Sequence, residues 1–455
     1  MIPLKISEIL DVTGGELFCG NPNGMVTNIT TDSRKAESGM LFAAISGEKV
    51  DGHSYIESAF SNGAVCAICE KDVKPVGTII KVTNTILALG KIARAIMRKM
   101  CVPVVGITGS VGKTTTRDMT YAVMSKMFNT LKNQGNFNNE LGVPLTIFSA
   151  DENVEAAVIE MGMDHFGEID RLSYIVNPTV SVITNIGMSH IEILGSQENI
   201  YKAKSEIFKN TKSSGTVILN GDDEILMKHK GEISQKVITV GVKNKNTDLL
   251  AKDIVSTLDG VTFVAAGLGK EFKVSLPVPG EHNVLNALLA IATGLVFEIP
   301  EREIVSALSD FSMTNMRMDI IKCPRITIIN DCYNAAPASV TAALSVLGKY
   351  EDKKVAVLGD IKALGTYSKK AHYDLGGEVV KNNIDVLVTI GECARDIAQG
   401  AYENGMDGQN IVSVDTVEEV YPMLLDVISD KSVVLVKASR AMALEQVTAF
   451  LKNNF

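Results

Sequence analysis

Residues 106 to 116 read GITGSVGKTTT, a glycine-rich stretch that ends in a lysine and three threonines. These residue types at this spacing suit the holding of phosphate groups. Glycine lets the backbone curl so that successive N–H groups point inward, and a helix starting at the lysine adds the positive end of its dipole. Lys113 would reach the β- and γ-phosphates of a nucleotide, and Thr114 would offer a hydroxyl to Mg²⁺. The common template, G-x-x-x-x-G-K-[ST], asks for glycine at position 107, where this chain has Ile107. Its glycines fall instead at Gly106, Gly109 and Gly112. The context is right for a phosphate loop: VPVVGI reads as a strand, and TTTRDMTYAVMSKM as a helix with Met119, Val123 and Met127 on one face. Gly109, Ser110, Val111, Gly112, Lys113, Thr114 and Thr115 therefore read as a nucleotide cradle. The plainer alternative is a glycine-rich turn with an incidental lysine. A dinucleotide site does not match, because GITGSVG is not G-x-G-x-x-G.

A magnesium nucleotide needs acidic or neutral ligands nearby. EAAVIEMG places Glu160 at the carboxyl end of the next apolar run, where open parallel sheets build their sites. Such a charge binds a metal or merely faces solvent, and the metal reading is preferred here. VITNIGMSH brings His190 to the same rim, where position alone favours a structural histidine over a ligand.

These residues need a scaffold. At 455 residues the chain suits about three domains of roughly 150 residues each. Residues 1–83 alternate short apolar runs with turns and read as a small α/β domain. TNTILALGKIARAIMRKM opens the second domain, 84–312, as a helix. There the continuous apolar runs VPVVGITGS, EAAVIEMG, VSVITNIG, GTVILNGDD and KVITVG suggest parallel strands covered on both faces. The more polar stretch from Lys243 to about Gly280 reads as an antiparallel edge or a small β insert, and EHNVLNALLAIATGLVF as an apolar helix. RITIIND, KKVAVLGD, DVLVTIGE and SVVLVKAS give residues 313–455 the pattern of a smaller Rossmann-like unit. The expected fold class is α/β in three domains, with the phosphate loop in a central parallel sheet.

Composition excludes some classes. With 44 basic and 53 acidic side chains the net charge is −9, which argues against a broad nucleic-acid footprint. No apolar run approaches the ~18 residues of a spanning helix, and MIPLKISEILDVTGG lacks a secretory pattern, so a cytoplasmic protein without membrane insertion is expected. Cys66 and Cys69 form a CxxC within GAVCAICEK, which reads as a buried strand with core cysteines, not a metal or redox pair. A monomer is the default.

Several further segments, taken with the loop, resemble the Mur ligases, the ATP-dependent amide-forming enzymes of peptidoglycan precursor synthesis. TDSRKAESGMLFAAISGEKVDGH is similar to that family's N-terminal UDP-sugar-binding signature. GNFNNELGVPLTIF, EMGMDHFGEI, ITNIGMSHIEILGS and KAKSEIF resemble its central domain, and GEHNVLNALLAIA, NDCYNAAPASV, VLGDIKALG and KASRAMALEQV follow in order. The family's own loop spaces its glycines as Gly106, Gly109 and Gly112 are spaced, which accounts for Ile107. GNFNNELG with DCYNAAP looks most like the members that add D-alanyl-D-alanine to a UDP-N-acetylmuramoyl tripeptide.

The resemblance implies roles residue by residue. Lys113, Glu160, His190, Lys204 and Arg317 would be catalytic. Thr114, Glu160, His190 and Lys204 would surround two Mg²⁺ ions. Lys204 would do so as a carbamate, since an ordinary ammonium repels a cation whereas a carbamate supplies an anionic oxygen; by its residues alone Lys204 reads as a solvated helix lysine. Asn283 and Asn286 match a pair that holds adenine, with helix capping around GEHN as the alternative. Arg317 would approach the γ-phosphate of ATP and Asp331 the ribose. Asp32, Ser33, Arg34, Gly52 and His53 resemble the UDP-sugar pocket, Asn136, Asn138 and Asn139 would orient the tripeptide, and Tyr333, Asn334 and Arg440 would surround the dipeptide.

The implied reaction activates the tripeptide carboxylate as an acyl phosphate, which the amine of D-alanyl-D-alanine then attacks. Two segments depart from the family pattern. GDIKALGTYS has Ala363 and Thr366 where acidic residues are usual, and KASR has Ala438 where glycine is usual. Another D-amino-acid dipeptide or D-alanyl-D-lactate therefore stays open as acceptor. The rival functions are a polyglutamate-type ligase, against which residues 1–83 argue, and a protein that uses ATP only as a binding switch.

Overall fold

The computed structural model describes residues 1–47, 49–313 and 316–455; Glu48 of the N-terminal motif and Thr314–Asn315 of DFSMTNMRMD lie outside the described residues. Among the described residues, three β-sheets, each flanked by helices, organise the chain, with a two-stranded ladder of Leu4–Lys5 and Met25–Val26 beside them. The first sheet has five strands, from Glu16–Cys19 at one edge to Asn28–Thr30 at the other. Its Cys66–Cys69 strand is fully buried, and the two thiols enter different apolar clusters on opposite faces. Burial pushes Cys66 up to about 12 and Cys69 up to about 11, as expected of inert core cysteines.

The second sheet has nine strands, ordered Lys270–Leu276, Val261–Gly267, Leu249–Ser256, Lys236–Gly241, Thr216–Asn220, Val180–Ile183, Val104–Thr108, Ala156–Glu160 and Thr130–Lys132. Neighbours are parallel from Thr130–Lys132 through to Leu249–Ser256, and the last two strands are antiparallel. The polar stretch after Lys243 is thus an antiparallel edge. Val104–Thr108, Ala156–Glu160, Val180–Ile183 and Thr216–Asn220 are buried throughout, because helices cover both faces. On one face lie the phosphate-loop helix Lys113–Met124 and the apolar helix His282–Val296, which pack on each other. Thr85–Met100 and Glu168–Val176 pack together beneath the other.

One expectation needs correction. Met127 does not share the buried face of Met119 and Val123: the helix ends at Met124, and Met127 lies exposed in the turn that follows.

The third sheet has six strands, ordered Asp319–Lys322, Thr327–Asn330, Val433–Lys437, Lys354–Gly359, Val386–Ile390 and Ile411–Val414, parallel except for the first pair. Among the described residues no helix is long and apolar enough to cross a membrane.

Candidate active site

Three adjacent parallel strands end at one edge of the central sheet. Val104–Thr108 runs into the phosphate loop, Ala156–Glu160 ends on its carboxylate, and Val180–Ile183 leads toward His190. The loop needs its glycines. Gly109 has φ +150°, and a Cβ there would lie 1.9 Å from the Thr184 hydroxyl oxygen. Gly112 has φ +83°, and a Cβ there would lie 2.7 Å from the Asn286 carboxamide oxygen. Lys113 donates to the carbonyls of Gly109 at 2.8 Å and Ser110 at 3.3 Å, so its ammonium is folded back over the loop. Burial pulls this ammonium below its ordinary value, Glu160 opposes that, and Arg317 adds to it.

Glu160 is almost completely buried and fully engaged. Thr114 donates to one carboxylate oxygen at 2.8 Å, with an Arg117 guanidinium nitrogen 3.4 Å away, and Asn138 donates to the other at 2.8 Å. Behind it, Arg117 pairs with Asp118, which also accepts from Lys132. Asn133 holds the strand end from both sides, accepting from the Glu160 N–H at 3.0 Å and donating to its carbonyl at 2.8 Å. It also donates to the Phe137 carbonyl at 2.9 Å, which ties the asparagine-rich loop to the strand.

His190 sits in the left-handed region, φ +64°, with Nδ1 2.9 Å from the Asp164 carboxylate. Burial pulls its imidazole down to about 4, Lys204 and Lys113 lower it further, and Asp164 opposes them. Lys204 is buried on the helix Gln197–Ser205 and donates to the Gly109 carbonyl at 3.0 Å, the same oxygen that Lys113 uses. Burial, reinforced by Lys113, holds its amine well below the ordinary lysine range.

A cavity of about 780 Å³ opens beyond these groups, lined by both the second and the third sheet's lobes. The central lobe contributes Ser110, Val111, Gly112, Lys113, Thr114, Thr115, Asn138, Asn139, Glu160, His190 and Asn286, and the C-terminal lobe Arg317, Asp331, Tyr333 and Asn334. Gly109 and Lys204 stand just behind this wall. Asn283 is buried off the cavity, donating to the Pro279 carbonyl and accepting from Asn286. Asn136 and Arg440 do not line it either, and Arg440 pairs with Glu445.

Asp32, Ser33, Arg34, Gly52 and His53 belong to the first lobe, on two 3₁₀ turns that both pack on the helix Ile56–Ser61. Arg34 grips Asp32 with two nitrogens and leaves the rest of its guanidinium in solvent. His53 is buried, with Nδ1 2.7 Å from Asp51 and Nε2 accepting from the Glu70 N–H, so it ties the Asp51 turn to the Glu70 backbone.

Sequence reasoning missed Arg117, Asn133, His282 and Lys437. His282 is exposed on the cavity wall, and desolvation by the protein atoms crowded around it pulls its imidazole down to about 4; Asp331 opposes this and Lys437 adds to it. Lys437 was within reach of sequence, since SVVLVK ends an apolar strand on a charge just as EAAVIE does.

The departures from the family pattern fall away from the cavity. Ala438 is buried under the strand Lys354–Gly359, where the missing side chain of Gly359 leaves room for its methyl. Ala363 and Gly365 lie against Glu192 of the central lobe, just after His190.

Comparison with known proteins agrees with this arrangement. Residues 25–99 match the Mur ligase family catalytic domain, 107–294 the Mur ligase middle domain, and 316–440 the Mur ligase glutamate ligase domain. The UDP-N-acetylmuramoyl-tripeptide--D-alanyl-D-alanine ligase of Bacillus subtilis (strain 168) is 36% identical, with 98% of each chain covered. A crystal structure of MurF from Acinetobacter baumannii superposes with a TM-score of 0.93 at 31% identity over 99% of both chains. MurF ligase from Thermotoga maritima in complex with ADP gives 0.84 at 27% identity, over 94% of this chain and 97% of that one. With the loop, the acid and the two-lobed cavity in place, these matches along nearly its whole length establish that the chain belongs to the Mur ligase family.

Proposed function

We infer that this protein joins D-alanyl-D-alanine to a UDP-N-acetylmuramoyl tripeptide with conversion of ATP to ADP and phosphate. The observation that carries the reading is the cavity in which Lys113, Thr114, Glu160 and His190 of one lobe face Arg317, Asp331 and Tyr333 of another. The named relatives, and the ADP bound by the Thermotoga maritima enzyme, supply the substrates. Ala363 and Ala438 lie off the cavity, which favours the usual acceptor over an altered dipeptide or D-alanyl-D-lactate. The UDP group belongs to the first lobe, at Asp32, Ser33, Arg34, Gly52 and His53. The chain divides near residues 84 and 313 and works as a cytoplasmic monomer.

Phosphoryl transfer demands chiefly positioning and charge neutralisation. The tripeptide carboxylate attacks the γ-phosphorus, ADP leaves, and the acyl phosphate is held until the dipeptide amine displaces phosphate through a tetrahedral intermediate. Lys113 and the N–H groups of the loop hold the phosphates, and Arg317 brings a second cation from the other lobe. Asn286 lies beside the loop for the adenine, and Asp331 takes the ribose. Asn138 and Asn139 line the approach of the tripeptide, Tyr333 and Asn334 that of the dipeptide. Closure of the lobes keeps water from the acyl phosphate.

Among the described residues no three His, Cys, Asp or Glu side chains converge on one point. The Thr114 hydroxyl, the Glu160 carboxylate and the neutral His190 imidazole nevertheless fit Mg²⁺, which takes few protein ligands and completes its shell with phosphate and water. When bound, it would neutralise phosphate charge and supply Lewis acidity to the phosphoryl transfer. Lys204 fits a carbamate: burial and the neighbouring Lys113 lower the basicity of its amine, which favours attack on CO₂ with loss of a proton, and the product supplies an anionic oxygen where an ammonium would repel Mg²⁺. Incubation with ¹³C-bicarbonate should give a carbamate resonance that is missing in Lys204→Arg.

The deciding experiment measures phosphate release with ATP, Mg²⁺ and UDP-N-acetylmuramoyl tripeptide, with and without D-alanyl-D-alanine, and weighs the product. Dipeptide-dependent release with a UDP-linked pentapeptide is expected. If the tripeptide stabilises the fold but nothing turns over, the acceptor is wrong. If neither ligand has any effect, the reading fails.

A further inference from the structure

Arg317 follows the link between the central and C-terminal lobes, and no helix or strand fixes its backbone. Its two neighbours hold it instead. Met316 and Met318 both lie in the left-handed region, at φ +62° and φ +48°, so the chain arches at Arg317. One foot of the arch is the Met316 carbonyl, which accepts from the Tyr333 N–H at 3.2 Å. The other is the Met318 N–H, which donates to one carboxylate oxygen of Asp331 at 3.1 Å. The guanidinium then stacks over the Tyr333 ring, 4.3 Å from its centroid, and lines the shared cavity.

Asp331 is therefore the anchor of the arch, and its own orientation is fixed by Lys437. This ammonium, 2% exposed at the end of the strand Val433–Lys437, donates at 2.6 Å to the second Asp331 carboxylate oxygen. It also donates at 3.0 Å to the Asn334 carbonyl, which closes the 331–334 loop around it. We propose that Lys437 is a positioning residue for phosphoryl transfer: by fixing the Asp331 carboxylate it holds the Met316–Met318 arch that aims Arg317 into the cavity. This rests on the ligase reading above. A left-handed arch at two non-glycine residues is a strained conformation that persists only when its surroundings over-determine it, and Lys437 completes that frame.

The test is a double-mutant cycle on kcat for amide formation, with Lys437→Met, Arg317→Ala and the pair. Misplacing a reacting group by about 1 Å costs on the order of a hundredfold, so Lys437→Met should lower kcat by that order. The KM for the UDP-tripeptide should stay within about twofold, because its UDP group is assigned to the first lobe and its peptide to Asn138 and Asn139, none of which Lys437 touches. In the Arg317→Ala background the further loss should be under about threefold. Losses that multiply in full would mean that Lys437 does not act through Arg317, and the proposal would fall. Should Lys437→Met not fold, Lys437→Gln keeps a donor for Asp331 without the charge, and the cycle is read in the same way. Wild-type turnover is the control for the ligase reading itself. If that is absent, a crystal structure of the Lys437 variant still decides: Arg317 displaced from Tyr333 and Met318 released from Asp331 is the expected result, and an unchanged arch overturns the proposal.

Discussion

Glu160 is held by donors on both carboxylate oxygens and pinned at its backbone by Asn133, so its direction is fixed before any ligand arrives. Replacing it with the isosteric Glu160→Gln keeps the shape and removes the charge that a magnesium nucleotide needs. Because mutation even of outer partners of a metal ligand costs roughly 10–100-fold, kcat should fall by about a hundredfold or more. The KM for the UDP-tripeptide should be nearly unchanged, as steady-state kinetics over a MgCl₂ series would report. His190 carries a pH signature. Its imidazole falls from an ordinary 6.5 to about 4 in the fold, so the unfolded chain binds the proton more readily. Stability is then unaffected above pH 6.5 and declines as pH drops from 6.5 toward about 4. The melting temperature of His190→Gln should decline less over that window than the wild type's; equal slopes would refute the assignment. At this scale the sequence was most legible where chemistry is local. Lys113 and Thr114 declare themselves through loop spacing, and Glu160 by ending an apolar run. Arg117, Asp118 and Lys132 did not, because their pairing depends on how a helix and a neighbouring strand happen to align.

The elements that aim these residues depend on their ends. The helix Glu168–Val176, which carries Glu168 and Leu172 to the cavity, begins after Gly167 with no side-chain cap of its own. Its N-terminal N–H groups are satisfied from a distance by the buried Glu206, whose carboxylate accepts from Gly167 at 2.8 and 3.0 Å and from Asp170 at 3.2 Å. An anion at this end is also favoured by the positive end of the helix dipole. Glu206→Ala should therefore destabilise the protein by about 1–2 kcal/mol, the range of a lost cap, visible as a lower urea midpoint with unchanged slope. No pattern in KAKSEIF announces this role, because the capped helix lies far along the chain. Long, continuous apolar strands such as Ala156–Glu160 and Val433–Lys437 were readable, since burial on both faces leaves no polar interruption. The edge strands Asp319–Lys322 and Ile411–Val414 were not, being only half buried and mixed in composition.

The proposed reaction requires the lobes to meet, and one contact between them sits directly beside the candidate site. The short helix Ile191–Leu194 begins at His190, and Glu192 on it touches the C-terminal segment that holds Ala363 and Gly365. Ile191 and Leu194 belong to the same continuous apolar cluster as Ile361 and Leu364, so the two lobes share core at this point. Gly365 allows the approach. Its φ is +53°, and a Cβ there would lie 3.1 Å from both Cβ and Cγ of Glu192. Gly365→Val adds bulk at that distance and a branched side chain in the left-handed region, at a local cost of order 1–3 kcal/mol. The segment can relieve this strain by moving off the Ile191–Leu194 helix, which parts the lobes and carries Arg317 away from Lys113. The expected result is a fall in kcat of about tenfold or more, as for other groups held slightly out of register. Affinity for the UDP-tripeptide, proposed to rest on the first and central lobes, should be retained, and small-angle scattering should show a larger radius of gyration. Unchanged kcat together with an unchanged radius would mean that this contact is incidental to closure, and the coupling of the C-terminal lobe to His190 would have to run through the cavity walls alone.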